Sequence, residues 1–225
     1  MKLININKSF KELIVLENLN FEANKNELIY IKGINGSGKS TLLKIIAGII
    51  DADSGEVIIE PSEEIGGLIE NPGFIENETA AFNMKFLYDL NHHYDEQRVS
   101  QLFSMFGLDL NSKKIVSKYS VGMRQKLGII QAVMEDQNLL LFDEPTRGLD
   151  ENSVAVFTNM INQYAKEGKC IIICAHDGVD GIEFTKKMEL KNGTLALFIA
   201  LCFVFPTEAD SGKPEKIKKE YIGRY

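Results

Sequence analysis

Cysteine is scarce in this 225-residue chain: Cys170, Cys174 and Cys202 are the only three. A disulfide scaffold needs more. Cys170 and Cys174 lie in or beside an apolar run, where buried free thiols are expected, and the setting this fits is a reducing cytoplasm. No cysteine–histidine cluster has metal-ligand spacing, which excludes a zinc module. Basic charge is also short. Lys and Arg number 25 against 32 Asp and Glu, a net charge of −7. A general nucleic-acid coat needs a surplus of cations to neutralise phosphates, so no nucleic-acid partner is expected. Long apolar runs are missing too. The longest, Leu195 to Phe205, has eleven residues and stops at Pro206. As a helix it reaches about 16 Å against a hydrocarbon core of about 30 Å, too short to span a membrane. The first ten residues hold no apolar stretch of the leader-peptide kind, so none is expected. Internal repeats are absent.

What is present suits one large domain, or one domain with a subdomain. Hydrophobic residues make up 44% of the chain, enough for a sizeable core. The first segment reads as strands, around Leu3 to Ile6, Leu13 to Phe21 and Glu27 to Lys32. Val57 to Ile59 reads as another. From about Ala80 the pattern turns helical, with Phe82, Phe86 and Leu90 at i, i+4 and i+8. A second helical stretch, Glu96 to Phe106, puts Val99, Leu102, Phe103 and Phe106 on one face and stops at Gly107. A helix is expected over Met123 to Glu135 and another over Val154 to Lys166. Between and after them, Asn138 to Phe142 and Cys170 to Cys174 are near-continuous apolar runs, as in parallel strands covered on both faces. Asn192-Gly193 suits the type I′ turn of a hairpin. The expected class is α/β. It has a mostly parallel central sheet, an N-terminal antiparallel β region and an inserted α-helical subdomain over about 76–135.

Gly33-Ile-Asn-Gly-Ser-Gly-Lys-Ser-Thr41 follows the third strand and precedes a helix-like run. This is the P-loop pattern in its confirming context. Gly33, Gly36 and Gly38 let successive N–H groups, those of Ile34, Asn35 and Ser37 among them, turn toward phosphate. The helix that begins here adds its positive end. Lys39 can reach the β- and γ-phosphates of a nucleotide and the Ser40 hydroxyl can ligate Mg²⁺, with Thr41 beside it. About a hundred residues on, the buried strand ends in Asp143-Glu144-Pro145. A carboxylate at the carboxyl end of a central strand faces the phosphate site in such folds. Asp143 can hold Mg²⁺, and Glu144 is placed to act as general base on the attacking water.

From about Met1 to Leu195 the sequence resembles the ATP-binding subunit of an ABC transporter. The most specific segment is Tyr119-Ser-Val-Gly-Met123, followed by Arg124-Gln125-Lys126. It is similar to the family's signature loop, with Val121 and Met123 departing from the commonest pattern, Leu-Ser-Gly-Gly-Gln. The resemblance implies that Ser120 and Gly122 contact the γ-phosphate. It implies that Phe10 stacks on adenine, with Val15 lining the same pocket. It makes Asp150, in Gly148-Leu149-Asp150, part of the loop joining two nucleotide sites, and His176 the switch histidine that supports the attacking water. His92 and His93 match nothing and are expected at the surface. Where the family usually has a glutamine, this chain has Glu70, which can still ligate Mg²⁺ but adds negative charge. Leu68-Ile-Glu-Asn-Pro-Gly-Phe74, together with the signature segment, resembles the branch linked to bacitracin resistance and lantibiotic self-immunity.

The resemblance also implies ATP and Mg²⁺ as ligands and a dimer of ATPase subunits, because one phosphate loop and one signature loop per chain complete each other only across two chains. It implies a separately encoded membrane permease, contacted through Glu70 to about Leu90. The protein would then be an exporter's ATPase, peripheral on the inner face of the cell membrane. The alternative is a soluble ABC-type ATPase acting on DNA or ribosomes. Such proteins usually carry two such domains, a coiled-coil insertion or a zinc module, for which this chain has no room. The expected domain runs over 1–205, followed by a polar tail over 206–225. The apolar run from Leu195 is expected to add to the core, the alternative being a patch that docks on a partner.

Overall fold

Leu3 and Ile6 are three residues apart, as are Leu16 and Leu19, a spacing that puts each pair on opposite faces of a regular strand. The chain resolves this with irregular strands. In the computed structural model, which describes residues 1–176 and 178–198, β1 (Lys2–Phe10) pairs antiparallel with β2 (Leu13–Glu22), Leu3 facing Phe21 and Ile6 facing Leu19, with a register shift between them. Asn5 and Asn18 sit in the left-handed region, at φ 51° and 44°. Asparagine tolerates it better than most residues. Each bend returns the strand's next apolar residue to the core face. Neighbouring asparagines occupy backbone donors at the bends: Asn5 N–H donates to Asn20 Oδ1 at 3.0 Å and Asn18 N–H to Asn7 Oδ1 at 2.8 Å.

β3 (Leu28–Lys32) leads into the phosphate loop and α1 (Lys39–Ile46). β4 (Ser54–Ile58) then returns to β1, completing a three-stranded sheet in the order β2-β1-β4. β5 (Ile65–Leu68) opens the second half. α2 (Ala80–Tyr88) and α3 (Glu96–Met105) follow, then a 3-10 turn over Val116–Lys118 and α4 (Val121–Val133). β6 (Leu139–Asp143), α5 (Glu151–Lys166), β7 (Cys170–Ala175), β8 (Lys186–Lys191) and β9 (Thr194–Leu197) close the described chain. The central sheet has the order β5-β6-β7-β3-β8-β9, parallel except for the β8–β9 hairpin. Asn192 and Gly193 turn that hairpin with φ 49° and 75°. Its Gly193 carbonyl accepts the Glu17 N–H at 2.9 Å and so braces β2.

Every residue of β6 and β7 is buried. Their side chains alternate between two cores. Leu140, Phe142, Ile171 and Ile173 join a core with α4 and α5. Leu139, Leu141, Ile172 and Cys174 join another with α1 and the N-terminal strands. Each such side chain contributes roughly 1.5–3 kcal/mol by leaving water. This fixes the carboxyl ends of β6 and β7, where the candidate residues Asp143, Glu144 and His176 stand or follow. α2 differs from a simple amphipathic reading. Its buried residues are Ala80, Asn83, Met84 and Tyr88, while Phe82, Phe86 and Leu90 face out. Asn83 is buried because it closes a loop, exchanging bonds with Ile75 N–H and O and donating to Thr79 O. Of the apolar run from Leu195, Leu195 is half-buried, whereas Leu197 and Phe198 are exposed on the edge strand or just past it. Its remainder, and the tail over 206–225, lie outside the described residues.

Candidate nucleotide-binding site

Four helices begin with a side-chain cap: Thr79 for α2, Asp95 for α3, Ser120 for α4 and Asp150 for α5. α1 has none. Gly38 stands at its N-cap with φ 100°, a conformation costly for any residue with a Cβ. A Cβ there would also come within 2.9 Å of Val15 Cγ1. The first N–H groups of α1 are thus left for an external acceptor. Lys39 is only 6% exposed, and its Nζ donates to the Gly33 carbonyl at 2.7 Å and the Ile34 carbonyl at 3.1 Å. The Ser37 hydroxyl is buried without a hydrogen-bond partner.

The loop forms one wall of a cleft of about 430 Å³, within the range of small-molecule sites. Phe10 and Val15 line it together with Asn35, Gly36, Gly38, Lys39, Ser40 and Thr41. Glu70, Asn71, Gln125, Asp143, Glu144 and Arg147 complete it. Phe10 is half exposed, with Lys8 Nζ 5.5 Å from its ring centroid. Gly33, Ile34 and Ser37 belong to the loop without facing the cleft.

Asp143 ends β6 and is 7% exposed. Its Oδ2 accepts a hydrogen bond from the Ser40 hydroxyl. Burial pushes its carboxyl above the ordinary value, against the pull of the Ser40 bond and Lys39. A hydroxyl and a carboxylate side by side are hard oxygen donors of the type Mg²⁺ takes, with phosphate and water filling the other positions. The donor set therefore fits the ion. Among the described residues no group of three or more acidic, His or Cys side chains forms a ready-made metal cluster. Glu70 lines the same cleft, but its carboxylate is engaged by Lys44 at 2.7 Å.

Glu144 adopts φ 48°. Contacts from three directions help to hold it there. Its N–H donates to Cys174 O at 2.8 Å, and its Oε1 accepts the His176 N–H at 3.0 Å. The Gln125 carboxamide donates to the carbonyls of Glu144 and Pro145 at 3.0 and 2.9 Å. His176 is exposed at the end of β7, and the Tyr30 hydroxyl bonds to the carbonyls of Ala175 and His176.

Ser120, Gly122 and Asp150 lie outside the cleft lining. Ser120 is exposed at the start of α4, with its Oγ accepting Met123 N–H at 3.2 Å, and the adjacent Val121 is 70% exposed. A Cβ on Gly122 would stand 2.6 Å from the Gly148 carbonyl, so glycine allows the start of α4 to touch the loop ahead of α5. Asp150 accepts from the Ser153 N–H and hydroxyl and pairs with Lys126 at 3.1 Å. These partners hold its carboxyl well below the usual range. Arg124 grips Glu76 with two bonds of 2.6 and 2.5 Å and ties α4 to the segment ahead of α2. His92, far from the cleft, stands 3.6 Å from Glu135. Burial pushes the Cys170 thiol up to about 12 and the Cys174 thiol well above its usual value, which leaves both unreactive.

Sequence reasoning missed four residues here: Lys44, Asn71, Gln125 and Arg147. Gln125 carries a weak signal, two residues beyond the signature segment on the same helix. Lys44 and Glu70 are 26 positions apart, and only the fold joins them.

A family profile described as ABC transporter matches residues 16–147. The lantibiotic transport ATP-binding protein SrtF of Streptococcus pyogenes is 33% identical over 183 residues, covering 78% of this chain and 80% of the relative. The bacitracin transport ATP-binding protein BcrA of Bacillus licheniformis is 29% identical over 193 residues, covering 81% and 63%. Among solved structures, a dimeric post-hydrolysis state of the ATP-binding cassette MJ0796 bound to ADP and Pi superposes with a TM-score of 0.74 at 22% identity, over 88% of this chain and 99% of that one. That likeness establishes the fold.

Proposed function

The chain belongs to the ABC transporter family, and we propose that it is the ATP-binding, ATP-hydrolysing subunit that powers a separately encoded membrane permease. The transported class we infer is an antimicrobial peptide or drug moved outward, as the names of SrtF and BcrA suggest by kinship. One observation carries the reading. The phosphate loop and the acidic end of β6 share a cleft, while the Ser120 end of α4 is exposed outside it. One chain holds both halves of a nucleotide site but cannot close them on one nucleotide. Two chains can, each presenting Ser120 and Gly122 to the triphosphate in the other's cleft.

In this account Phe10 and Val15 receive the adenine. Lys39 leaves the carbonyls of Gly33 and Ile34 for the β- and γ-phosphates. Ser40 and Asp143 hold Mg²⁺, which when bound neutralises charge on the phosphate oxygens. Glu144 takes a proton from the water whose oxygen attacks the γ-phosphorus. The bond from that phosphorus to the β,γ-bridging oxygen breaks, and ADP keeps the electron pair. His176 steadies the water and the γ-phosphate, and Asp150 links the two sites.

Among the described residues no helix is long and apolar enough to cross a membrane, so the permease supplies the span and holds the subunit at the inner face of the membrane. The surface suited to it follows Glu70 in the sequence. The rings of Phe82 and Phe86 stack in parallel 6.3 Å apart on α2, both nearly half exposed, with Leu90 a turn further on. A groove lined by Ile49, Ile69 and Pro72 takes in both sequence neighbours of Glu70, Ile69 and Asn71. Exposed apolar area of this kind marks interaction sites. The test is capture of tagged Glu144→Gln from its native cells with ATP and Mg²⁺. A polytopic membrane protein in stoichiometric yield is expected. Ribosomes, nucleic acid or soluble proteins alone would contradict the permease reading.

A further inference from the structure

The surroundings of Glu70 show how this chain tolerates a carboxylate beside a triphosphate site. Glu70 Oε1 accepts a charge-assisted bond of 2.7 Å from Lys44 Nζ. Lys44 stands in the last turn of α1, the helix that starts at Lys39. Glu70 is held at φ 59°, a region sparsely used by residues with a Cβ. The backbone thus aims this side chain from a fixed and unusual position. Asp143, raised chiefly by its burial, is pushed further up by Glu70 and pulled down by Lys44. Both charges therefore act on Asp143.

We propose that Lys44 is a positioning residue: it holds the Glu70 carboxylate as its counter-ion and releases it to the Mg²⁺ that enters with the nucleotide. This rests on the ATPase reading given above. Without the cation, the Lys44 bond keeps the carboxylate from repelling the γ-phosphate. With it, Glu70 turns to the cation beside Ser40 and Asp143, and Lys44 is freed. An amide at position 70 would need no counter-ion, so the importance of Lys44 depends on Glu70 being acidic.

The experiment is a fluorescence titration with trinitrophenyl-ATP, once in EDTA and once in Mg²⁺. It compares the wild type with Lys44→Met, Lys44→Arg, Glu70→Gln and the double variant Lys44→Met/Glu70→Gln. Lys44→Met should weaken binding about tenfold in EDTA, the scale of one uncompensated charge near the phosphates. In Mg²⁺ its affinity should return to within about twofold of wild type. Lys44→Arg should behave as wild type, and the double variant should match Glu70→Gln in both buffers. Lys44→Gln replaces Lys44→Met should the latter fold poorly. An equal loss in both buffers, a loss that persists with Gln at position 70, or no loss in EDTA would overturn the exchange. A wild type that binds no nucleotide in either buffer would overturn the ATPase reading, and this inference with it.

Discussion

Replacing Gln125 by Leu removes the two bonds that fasten α4 to the loop carrying Glu144, at nearly constant side-chain volume. The bonds measure 3.0 and 2.9 Å and end on consecutive carbonyls. Each neutral hydrogen bond contributes about 0.5–1.5 kcal/mol net, so their joint loss is about 1–3 kcal/mol. Glu144 is poised to use this support, because its φ of 48° costs roughly 1–2 kcal/mol relative to ordinary backbone. Among its other ties are the bonds to Cys174 on β7, to His176 just past it, and from the Arg147 N–H. If the lost energy falls on the placement of Glu144, the proposed base, kcat drops about 5- to 150-fold, at 1.36 kcal/mol per tenfold. KM for ATP should stay within about twofold, since Lys39, Ser40 and Phe10 are untouched. Steady-state ATPase assays give the two constants, and a thermal melt accompanies them. Gln125→Glu, which keeps the shape but loses the donors, should be as impaired as Gln125→Leu. A kcat within twofold of wild type for Gln125→Leu would refute the reasoning. So would a change confined to KM and the melting temperature.

Lys39→Ala should abolish nucleotide binding in an equilibrium titration, and retained binding would remove the lysine from the site. Asp143→Asn should stop Mg²⁺-dependent turnover yet raise the melting temperature of the nucleotide-free protein at neutral pH. The sign follows from the raised carboxyl, whose stabilising form is the neutral one. That stability is present below the ordinary carboxylate value of about 3.9 and lost as pH rises through the raised value. The gap between the two melting temperatures should therefore close as pH falls, and a lower melting temperature for Asp143→Asn at neutral pH would contradict the sign. Gly122→Ala sets helix propensity, worth about 1 kcal/mol in favour of Ala, against a Cβ 2.6 Å from the Gly148 carbonyl. Such crowding costs typically 1–3 kcal/mol, and a backbone atom gives way poorly. The melting temperature should fall by about 2–4 °C, and a rise would show that the loop ahead of α5 moves freely.

The phosphate loop was legible because its chemistry is local. Glycines, lysine and hydroxyls must stand in sequence between a strand and a helix, and from Gly33 to Thr41 they do. β6 and β7 were legible because strands buried on both faces need unbroken apolar runs. The stripe of Phe82, Phe86 and Leu90 was legible as helical but not in its direction: a period fixes a face, not what lies opposite. Met84 and Tyr88 turned out to be the buried pair, with Asn83 buried beside them for its bonds to Ile75 and Thr79. The bends at Asn5 and Asn18 were hidden because strand reading assumes a period of two. The Lys44–Glu70 pair and the grip of Gln125 on the Glu144 loop were hidden for a plainer reason. Each joins residues at least 19 positions apart through tertiary structure.

In the proposed function, two chains are needed to complete each nucleotide site. The direct test is the mass of Glu144→Gln in solution, by light scattering on a sizing column, with and without ATP and Mg²⁺. The carboxamide keeps an oxygen for the His176 N–H while removing the proposed base, so ATP should persist. The account predicts 25.3 kDa without nucleotide and about twice that with it, with Ser120→Arg reverting the second value to the first. A monomer that holds ATP, unaffected by Ser120→Arg, would contradict it.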